Sequence, residues 1–219
     1  MLEKNTNLVK IYLYTRFERF WHWVQAALII LLIITGLEIH GTYSLFGFDR
    51  AVTLHNFFGL SWLVLFAFIV FWLFTTGEWK QYIPTTKKLY DVAHYYCVDI
   101  FRGKPHPVQK CKDAKHNPLQ RLTYLGLSAL LLPLQMATGL LYYTYNHWET
   151  WGIDVFLDLG VLALVHTALA FIILSFLVVH VYMTTTGHSV TSHITAMCCG
   201  WEEVEEGTRI EDWERGAVS

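Results

Sequence analysis

Two histidines near the end of the chain lie in one long apolar stretch, at a spacing that could do chemistry. His166 and His180 are fourteen residues apart within residues 155–187. On a helix this spacing separates them by about 21 Å along the axis and leaves them within roughly 40° of the same face. An imidazole inside a membrane span is costly without a partner, so such residues usually face a bundle interior or bind something. The ligand that suits two such histidines is haem.

Four apolar stretches could position these side chains, because each is long enough to cross a hydrocarbon core of about 30 Å. They cover about residues 20–39, 52–76, 122–145 and 155–187, and hydrophobic residues make up 54% of the 219-residue chain. Pro133 is expected to kink the third. We predict an all-α, integral membrane four-helix bundle that forms a single domain, 1–219, with an acidic tail at 200–219.

Basic residues predict the orientation of this bundle. Four lie in residues 1–19 and nine in the connection 77–121, whereas the two short connections on the other side have only Arg50. The positive-inside rule therefore predicts that both termini and the acidic tail are cytoplasmic. The net charge of −2 says nothing about nucleic acid, and no Lys/Arg run resembles a polyanion-binding tail, so no nucleic-acid partner is expected. Membrane lipids are the expected surroundings.

The predicted topology sorts four histidines into two levels. His22 and His180 fall at the inner level, and His55 and His166 at the outer level. Each pair could supply both axial ligands of one haem iron, an arrangement that suits electron transfer. His40 is a second candidate for the outer site, since it lies five full turns after His22. A haem-free transporter or assembly factor that uses these histidines as metal or proton sites stays open.

Glycines on two spans support the haem interpretation. Gly36 follows His22 by fourteen residues, and Gly126 and Gly139 are spaced almost identically on the third span. A macrocycle packs flat against backbone where side chains are absent. The chain has no CxxCH sequence, so we expect two non-covalent b haems. The four cysteines are expected to be reduced thiols on the inner side.

Several other charged or ionisable residues have simpler expected roles. Arg16 and Arg19 would contact lipid head groups or the inner haem's propionates. His188 and His193 are expected to be interfacial anchors. The histidines of the connections are expected to be solvated: His94, His106, His116 and His147.

Four motifs also resemble a known family. They are RFWHWVQAALIILLIITG in the first span, HNFFG in the second, HNPLQRLTYLG at the third and the H-x13-H pair of the fourth. Together they resemble the nickel-iron hydrogenase and formate dehydrogenase cytochrome b superfamily, and thiosulfate-reductase-type cytochrome b subunits are the most similar branch. The resemblance implies a di-haem electron-transfer subunit of a multi-subunit, quinone-linked oxidoreductase in a bacterial or archaeal cytoplasmic membrane.

The same resemblance implies ligands and partners. His22 and His180 match the ligands of the inner haem, and His55 and His166 those of the outer haem. Electrons would pass between menaquinone or ubiquinone and a redox subunit at the outer face, of iron–sulfur or multihaem c type.

The implied quinone pocket consists of Asn117, Gln120 and His180. Asn117 precedes a proline and also suits a helix N-cap, which would use its side-chain oxygen and leave its NH₂ group free. Lys115 and His116 would supply protons from a water-accessible connection.

One alternative function has the same fold. A stand-alone di-haem superoxide:quinone oxidoreductase would need a basic exterior to attract its anionic substrate. The predicted exterior is acidic apart from Arg50, which argues against this alternative.

Overall fold

The computed structural model describes residues 8–104, 106–108, 115–187 and 189–205. Eight α-helices lie in these ranges: α1 Arg16–Ile39, α2 Phe48–Thr76, α3 Leu89–His94, α4 Pro118–Gly126, α5 Leu132–Tyr143, α6 Trp148–Trp151, α7 Leu159–Thr184 and α8 Ser192–Cys199. Two strands pair with each other, β1 Leu8–Tyr12 and β2 Trp201–Glu205. Short 3-10 turns are Glu78–Tyr82, Ile100–Arg102 and Tyr145–His147, and π-turns are Tyr95–Asp99 and Leu127–Leu131.

Four helical segments are long and apolar enough to cross a membrane, as predicted: Arg16–Ile39, Phe48–Thr76, Pro118–Tyr143 and Leu159–Thr184. The first three begin four residues before the predicted starts, because the residues that precede each apolar run continue the helical backbone. The fourth is shorter than predicted at both ends. The cytoplasmic position of the termini stays a prediction.

The third span has a π-turn shortly before Pro133. The span consists of α4, the π-turn Leu127–Leu131 and α5, which has Pro133 in its first turn. Proline lacks an N–H, and its ring crowds the carbonyl of the residue four positions earlier, here Ala129. A wider π-turn at this point lets the helix continue past the proline.

The chain divides into two compact units, and the predicted single domain, 1–219, stays a prediction. The first unit comprises Met1–Arg19, Trp72–Leu127 and Thr184–Ser219. In it β1 and β2 form an antiparallel two-stranded sheet, with Leu8 opposite Glu205 and Tyr12 opposite Trp201. The all-α prediction is wrong in this respect. Part of the predicted tail, 200–219, is therefore a strand, and residues 206–219 lie outside the described residues.

The second unit comprises Phe20–Phe71 and Ser128–Met183, which include most of α1, α2, α5 and α7. Side-chain contacts between these helices involve the four predicted haem ligands. The carboxylate of Glu38, in the last turn of α1, holds the connection between α1 and α2. Its Oε1 accepts three consecutive backbone N–H groups, those of Leu45, Phe46 and Gly47, at 2.7, 2.7 and 2.8 Å. These bonds satisfy donors just before α2 begins.

Candidate functional site

Histidines of α2 and α7 face each other in the second unit. The ring centres of His55 and His166 are 6.4 Å apart, and their planes make an angle of 77°. Both side chains are half-buried. His40, the second candidate for this level, is exposed and forms no part of the pair.

Histidines of α1 and α7 form the second pair. The ring centres of His22 and His180 are 6.2 Å apart with an interplanar angle of 49°. Trp23 meets the His22 ring edge-on, and Phe176 stacks on His180. The structure thus brings together the same two pairs of rings that the sequence placed at common depths, and α7 contributes one histidine to each.

The separation of the rings fits a shared iron atom. A metal–imidazole bond is about 2 Å long and the nitrogen lies roughly 1 Å from the ring centre, so two axial imidazoles have centres about 6 Å apart. Both observed separations agree with this value. The Nδ1 atom of His22 is buried and has no hydrogen-bond partner among the described residues. The donor set, two imidazoles at each level, therefore fits a haem whose axial positions are both filled.

Two threonines that the sequence analysis missed contact one of the pairs. Thr35 Oγ1 lies 2.9 Å from His55 Nδ1, and Thr138 Oγ1 lies 2.9 Å from His166 Nδ1. Both threonines are buried. The amide nitrogen of Gln135 also lies 3.2 Å from Nε2 and 3.4 Å from Nδ1 of His166. A sequence signal existed, since each threonine directly precedes a glycine that was predicted to flank a haem.

The predicted glycines differ in what they contact. A Cβ atom added to Gly36 would lie 3.3 Å from Cε1 of His55, and one added to Gly139 would lie 3.3 Å from Cε1 of His166. The absence of a side chain at these two glycines therefore allows the imidazole rings of His55 and His166 to pack against the helix backbone. A Cβ atom at Gly126 would meet none of the described atoms considered around it within 4 Å, so its predicted role in haem packing stays a prediction.

The residues predicted to bind quinone form a helix cap in the first unit. Asn117 Oδ1 accepts the N–H of Gln120 at 2.8 Å, and Gln120 Oε1 accepts the N–H of Asn117 at 3.0 Å. This is a complete capping box at the start of α4. The expectation that the Asn117 NH₂ group is free is wrong, because Nδ2 donates to the hydroxyl of Tyr96 at 3.2 Å. The pocket that would join this cap to His180 stays a prediction.

The connection before α4 is less open to water than expected. Lys115 is 6% exposed and lies in an ion pair with Glu18. His116 is half-buried, and its ring contacts those of Tyr82 and Tyr124. Burial raises the pKa of Tyr82, and the neighbouring Glu18 adds to that effect.

Other ionisable residues also have partners that local sequence did not reveal. His94 Nδ1 lies 3.0 Å from Asp99 Oδ2, and His106 Nε2 lies 3.2 Å from the Tyr96 hydroxyl. Neither histidine is simply solvated, whereas His147 is exposed.

Two residues expected at the membrane surface make contacts within the first unit, and their expected position at that surface stays a prediction. His193 Nδ1 lies 2.8 Å from Oε1 of the buried Glu202. Arg19 Nη1 donates to the carbonyl of Cys198 at 2.5 Å, at the end of α8. His188, the other predicted anchor, lies outside the described residues.

The thiols of the described part of the chain are Cys97, Cys198 and Cys199, which are free and exposed. Within that same part, no group of three His, Cys, Asp or Glu side chains could hold a metal ion. The fourth cysteine, Cys111, is outside the described ranges.

Comparison with known proteins agrees with this geometry. Residues 13–200 match the prokaryotic cytochrome b561 family. The Escherichia coli (strain K12) protein YdhU, which is named as a cytochrome, is 32% identical over 202 residues, a match that covers 88% of this chain and 74% of YdhU. The chain therefore belongs to the prokaryotic cytochrome b561 family, whose membrane cytochromes transfer electrons through haem b.

Proposed function

We propose that the chain is the membrane anchor and electron-transfer subunit of a quinone-linked respiratory oxidoreductase, and that it carries two b haems. The observation that supports this most directly is the presence of two facing histidine pairs, with ring centres 6.2 and 6.4 Å apart. A haem held by two imidazoles would supply reversible one-electron redox chemistry and would leave no iron position for a substrate. The ligands would be His22 with His180 and His55 with His166.

The spacing of the two pairs supports a path across the membrane. His166 and His180 are fourteen residues apart on α7, which separates the two levels by about 21 Å along the helix. The His55–His166 pair would exchange electrons with a partner subunit at the outer face, and the His22–His180 pair would exchange them with quinone on the cytoplasmic side. The basic residues of 1–19 and 77–121 support this orientation.

The motif resemblance supports a partner of the kind found with thiosulfate-reductase-type cytochromes. This partner would be an outer-face redox subunit with iron–sulfur clusters or several c haems, in a bacterial or archaeal cytoplasmic membrane. Menaquinone or ubiquinone would be the membrane substrate. Asn117, Gln120 and His180 remain the proposed quinone-binding residues.

Haem counting tests the two-haem assignment. In the purified full-length protein, a pyridine haemochrome assay is expected to give two b haems per chain. His166→Ala and His180→Ala should each retain one haem, because each variant removes a ligand from a different pair. The matched control is His147→Ala, which changes an exposed histidine outside the four spans and should retain both haems.

The assignment is wrong if the wild-type chain holds one haem or none. It is also wrong if both alanine variants keep the full haem content. An optical redox titration adds a second check, since each variant should lose a different component of the reduced α-band.

A further inference from the structure

The two histidines of the His55–His166 pair rest on the same dipeptide in two different helices. Thr35–Gly36 of α1 contacts His55, and Thr138–Gly139 of α5 contacts His166. In both cases the threonine Oγ1 is 2.9 Å from the Nδ1 atom of the ring. We call these two dipeptides the Thr-Gly seats.

Hydrogen-bond direction within each seat follows from the backbone. Thr35 Oγ1 donates to the carbonyl of Leu31 at 2.8 Å, and Thr138 Oγ1 donates to the carbonyl of Leu134 at 2.9 Å. A hydroxyl has one hydrogen, and a carbonyl can only accept it. Since the hydroxyl hydrogen goes to the backbone carbonyl, we assign the threonine oxygen as the acceptor and the histidine proton to Nδ1. A neutral imidazole with its proton on Nδ1 has an unprotonated Nε2.

The glycine of each seat determines how closely the ring can approach. A Cβ atom at either Gly36 or Gly139 would lie 3.3 Å from Cε1 of the ring, the carbon between the two nitrogens. That distance is shorter than an ordinary contact between carbon atoms. With glycine, the ring lies against the helix backbone while the adjacent threonine holds its Nδ1 edge.

Gln135 does not explain the tautomer of His166. Its amide nitrogen is nearly equidistant from the two ring nitrogens, at 3.2 and 3.4 Å. The side chain thus lies beside the ring without selecting one nitrogen. Thr138 contacts Nδ1 alone, so the threonine is the residue that distinguishes them.

We propose that the two Thr-Gly seats are positioning elements that fix His55 and His166 in the same tautomer and present both Nε2 atoms to one haem iron. This inference rests on the proposed function, in which these histidines are the axial ligands of one of two haems. A hydrogen bond accepted from Nδ1–H makes the opposite nitrogen a stronger electron donor, which favours ferric over ferrous iron. The seats therefore lower the reduction potential of one haem specifically.

The two pairs differ in this respect. Nδ1 of His22 is buried without a hydrogen-bond partner in the described part of the chain. The haem of the His22–His180 pair thus serves as an internal reference within the same molecule. Removing either seat hydroxyl should change the potential of one haem and leave the other unchanged.

The experiment compares Thr35→Val and Thr138→Val with the wild-type protein, in full-length, haem-loaded samples. Valine keeps the shape of threonine and removes the acceptor. Potentiometric titration should show an upward shift of one haem potential in each variant and a larger shift of the same haem in the double variant. Thr35→Ser and Thr138→Ser should restore the wild-type potential, because serine keeps the hydroxyl.

A matched control is Thr144→Val. Thr144 Oγ1 donates to the carbonyl of Leu140 at 2.9 Å, so it makes the same backbone bond, and none of the described histidines shares a hydrogen bond with it. This variant should keep both potentials. Electron paramagnetic resonance gives a second readout, since the low-spin ferric signal of one haem should change in the two seat variants only.

The outcomes distinguish failure of this inference from failure of the proposed function. If haem content is unchanged and both potentials stay at the wild-type values in the double valine variant, the seats do not tune the haem and the inference is wrong. Loss of one haem in the valine variants, with recovery in the serine variants, supports the seats as positioning elements. If His166→Ala does not reduce the haem content, the proposed function itself fails.

Discussion

The ammonium group of Lys115 lies 2.7 Å from Oε1 of Glu18, and the two side chains are only 7% and 18% exposed. The same carboxylate accepts the N–H of Thr15 through Oε2 at 2.7 Å, while Thr15 Oγ1 accepts the N–H of Glu18. Glu18 therefore completes a capping box at the start of α1 and neutralises a buried lysine that precedes α4. Glu78 lies farther from the same ammonium, at 3.6 Å.

Glu18→Gln should destabilise the first unit without disturbing the start of α1. Glutamine can replace glutamate in a capping box, but among the described residues it leaves Lys115 with only the more distant carboxylate of Glu78. We expect the free energy of unfolding in detergent to fall by about 1–3 kcal/mol. Chemical denaturation followed by tryptophan fluorescence measures this change.

The control for this variant is Glu203→Gln. Glu203 pairs with Lys10 at 3.6 Å, and their side chains are 44% and 69% exposed. Solvent screens such a pair, so the expected change is below about 0.5 kcal/mol. Equal losses in the free energy of unfolding in the two variants would show that burial of Lys115 does not strengthen its ion pair with Glu18.

Gly200→Ala should be strongly destabilising because space and backbone conformation both oppose it. Gly200 has φ +91°, and an added Cβ would lie 2.6 Å from Cε2 of Tyr12 and 2.7 Å from the carbonyl oxygen of Tyr14. The Gly200 carbonyl also accepts the N–H of Leu13 at 2.8 Å. We expect a loss of about 2–4 kcal/mol in the free energy of unfolding.

Gly103→Ala separates the two causes. Gly103 has φ +67°, but an added Cβ would meet none of the described atoms considered around it within 4 Å. The conformational cost alone is about 1–2 kcal/mol. The contact with Tyr12 and Tyr14 is unimportant if both alanine variants unfold at the same denaturant concentration.

Glu38→Ala should loosen the α1–α2 connection. Its Oε1 accepts three consecutive N–H groups, those of Leu45, Phe46 and Gly47, and alanine leaves these donors without their acceptor. Hydrogen exchange of these amides should become faster. Glu38→Gln keeps an acceptor oxygen and should retain most of the protection. Unchanged exchange in the alanine variant would mean that the connection is held by other contacts.

The lowered pKa of Asp99 predicts that the protein loses stability at acid pH. A hydrogen bond from Lys104, at 2.7 Å, lowers the pKa of this carboxyl group, and His94 contributes to the same effect while burial opposes it. Because the folded pKa is below the unfolded pKa of about 3.9, the ionised carboxylate stabilises the fold above that value. This contribution is lost as pH falls through the folded pKa. Asp99→Asn should flatten the acid side of a plot of melting temperature against pH.

Much of the second unit was predictable because its signals are local and periodic. The four spans follow from hydropathy, and the H-x13-H spacing alone places His166 and His180 on one helix face. The rings of His22 and His55 lie opposite them as the depth argument required. Thr35 and Thr138 directly precede two predicted glycines, but which histidine each hydroxyl contacts depends on a neighbouring helix and does not follow from the sequence.

The first unit was predicted poorly because its contacts are distant in sequence. β1 and β2 pair residues 8–12 with residues 201–205, and the glutamates of β2 obscure its strand signal. Lys115 was expected to be solvated, since nothing near it in sequence shows that Glu18, 97 residues away, is its partner. Non-local pairing of this kind cannot be derived from propensity or periodicity.

The capping box at Asn117 requires a more selective test of the quinone site than removal of that asparagine. Replacing Asn117 by leucine would delete the helix cap and the bond to Tyr96 together, so slow turnover could reflect a disordered α4. Gln120 offers a cleaner change. Its Oε1 serves the cap, and its NH₂ group has no partner among the described residues, which leaves a donor for a quinone carbonyl.

Gln120→Glu should therefore slow quinone-coupled turnover while the fold and the haem content are kept. Glutamate preserves the cap acceptor but removes the NH₂ donor. The loss of one hydrogen bond of about 1–1.5 kcal/mol corresponds to a rate lower by roughly five- to thirteenfold. Reoxidation of the reduced haems by a water-soluble menaquinone or ubiquinone analogue measures this rate in a stopped-flow instrument. Asn117→Asp tests the second proposed amide in the same way, because it keeps the cap oxygen and removes the NH₂ group that donates to Tyr96. Full activity and unaltered binding of a quinone-analogue inhibitor in Gln120→Glu would move the proposed site away from α4, most simply to the level of the His55–His166 pair.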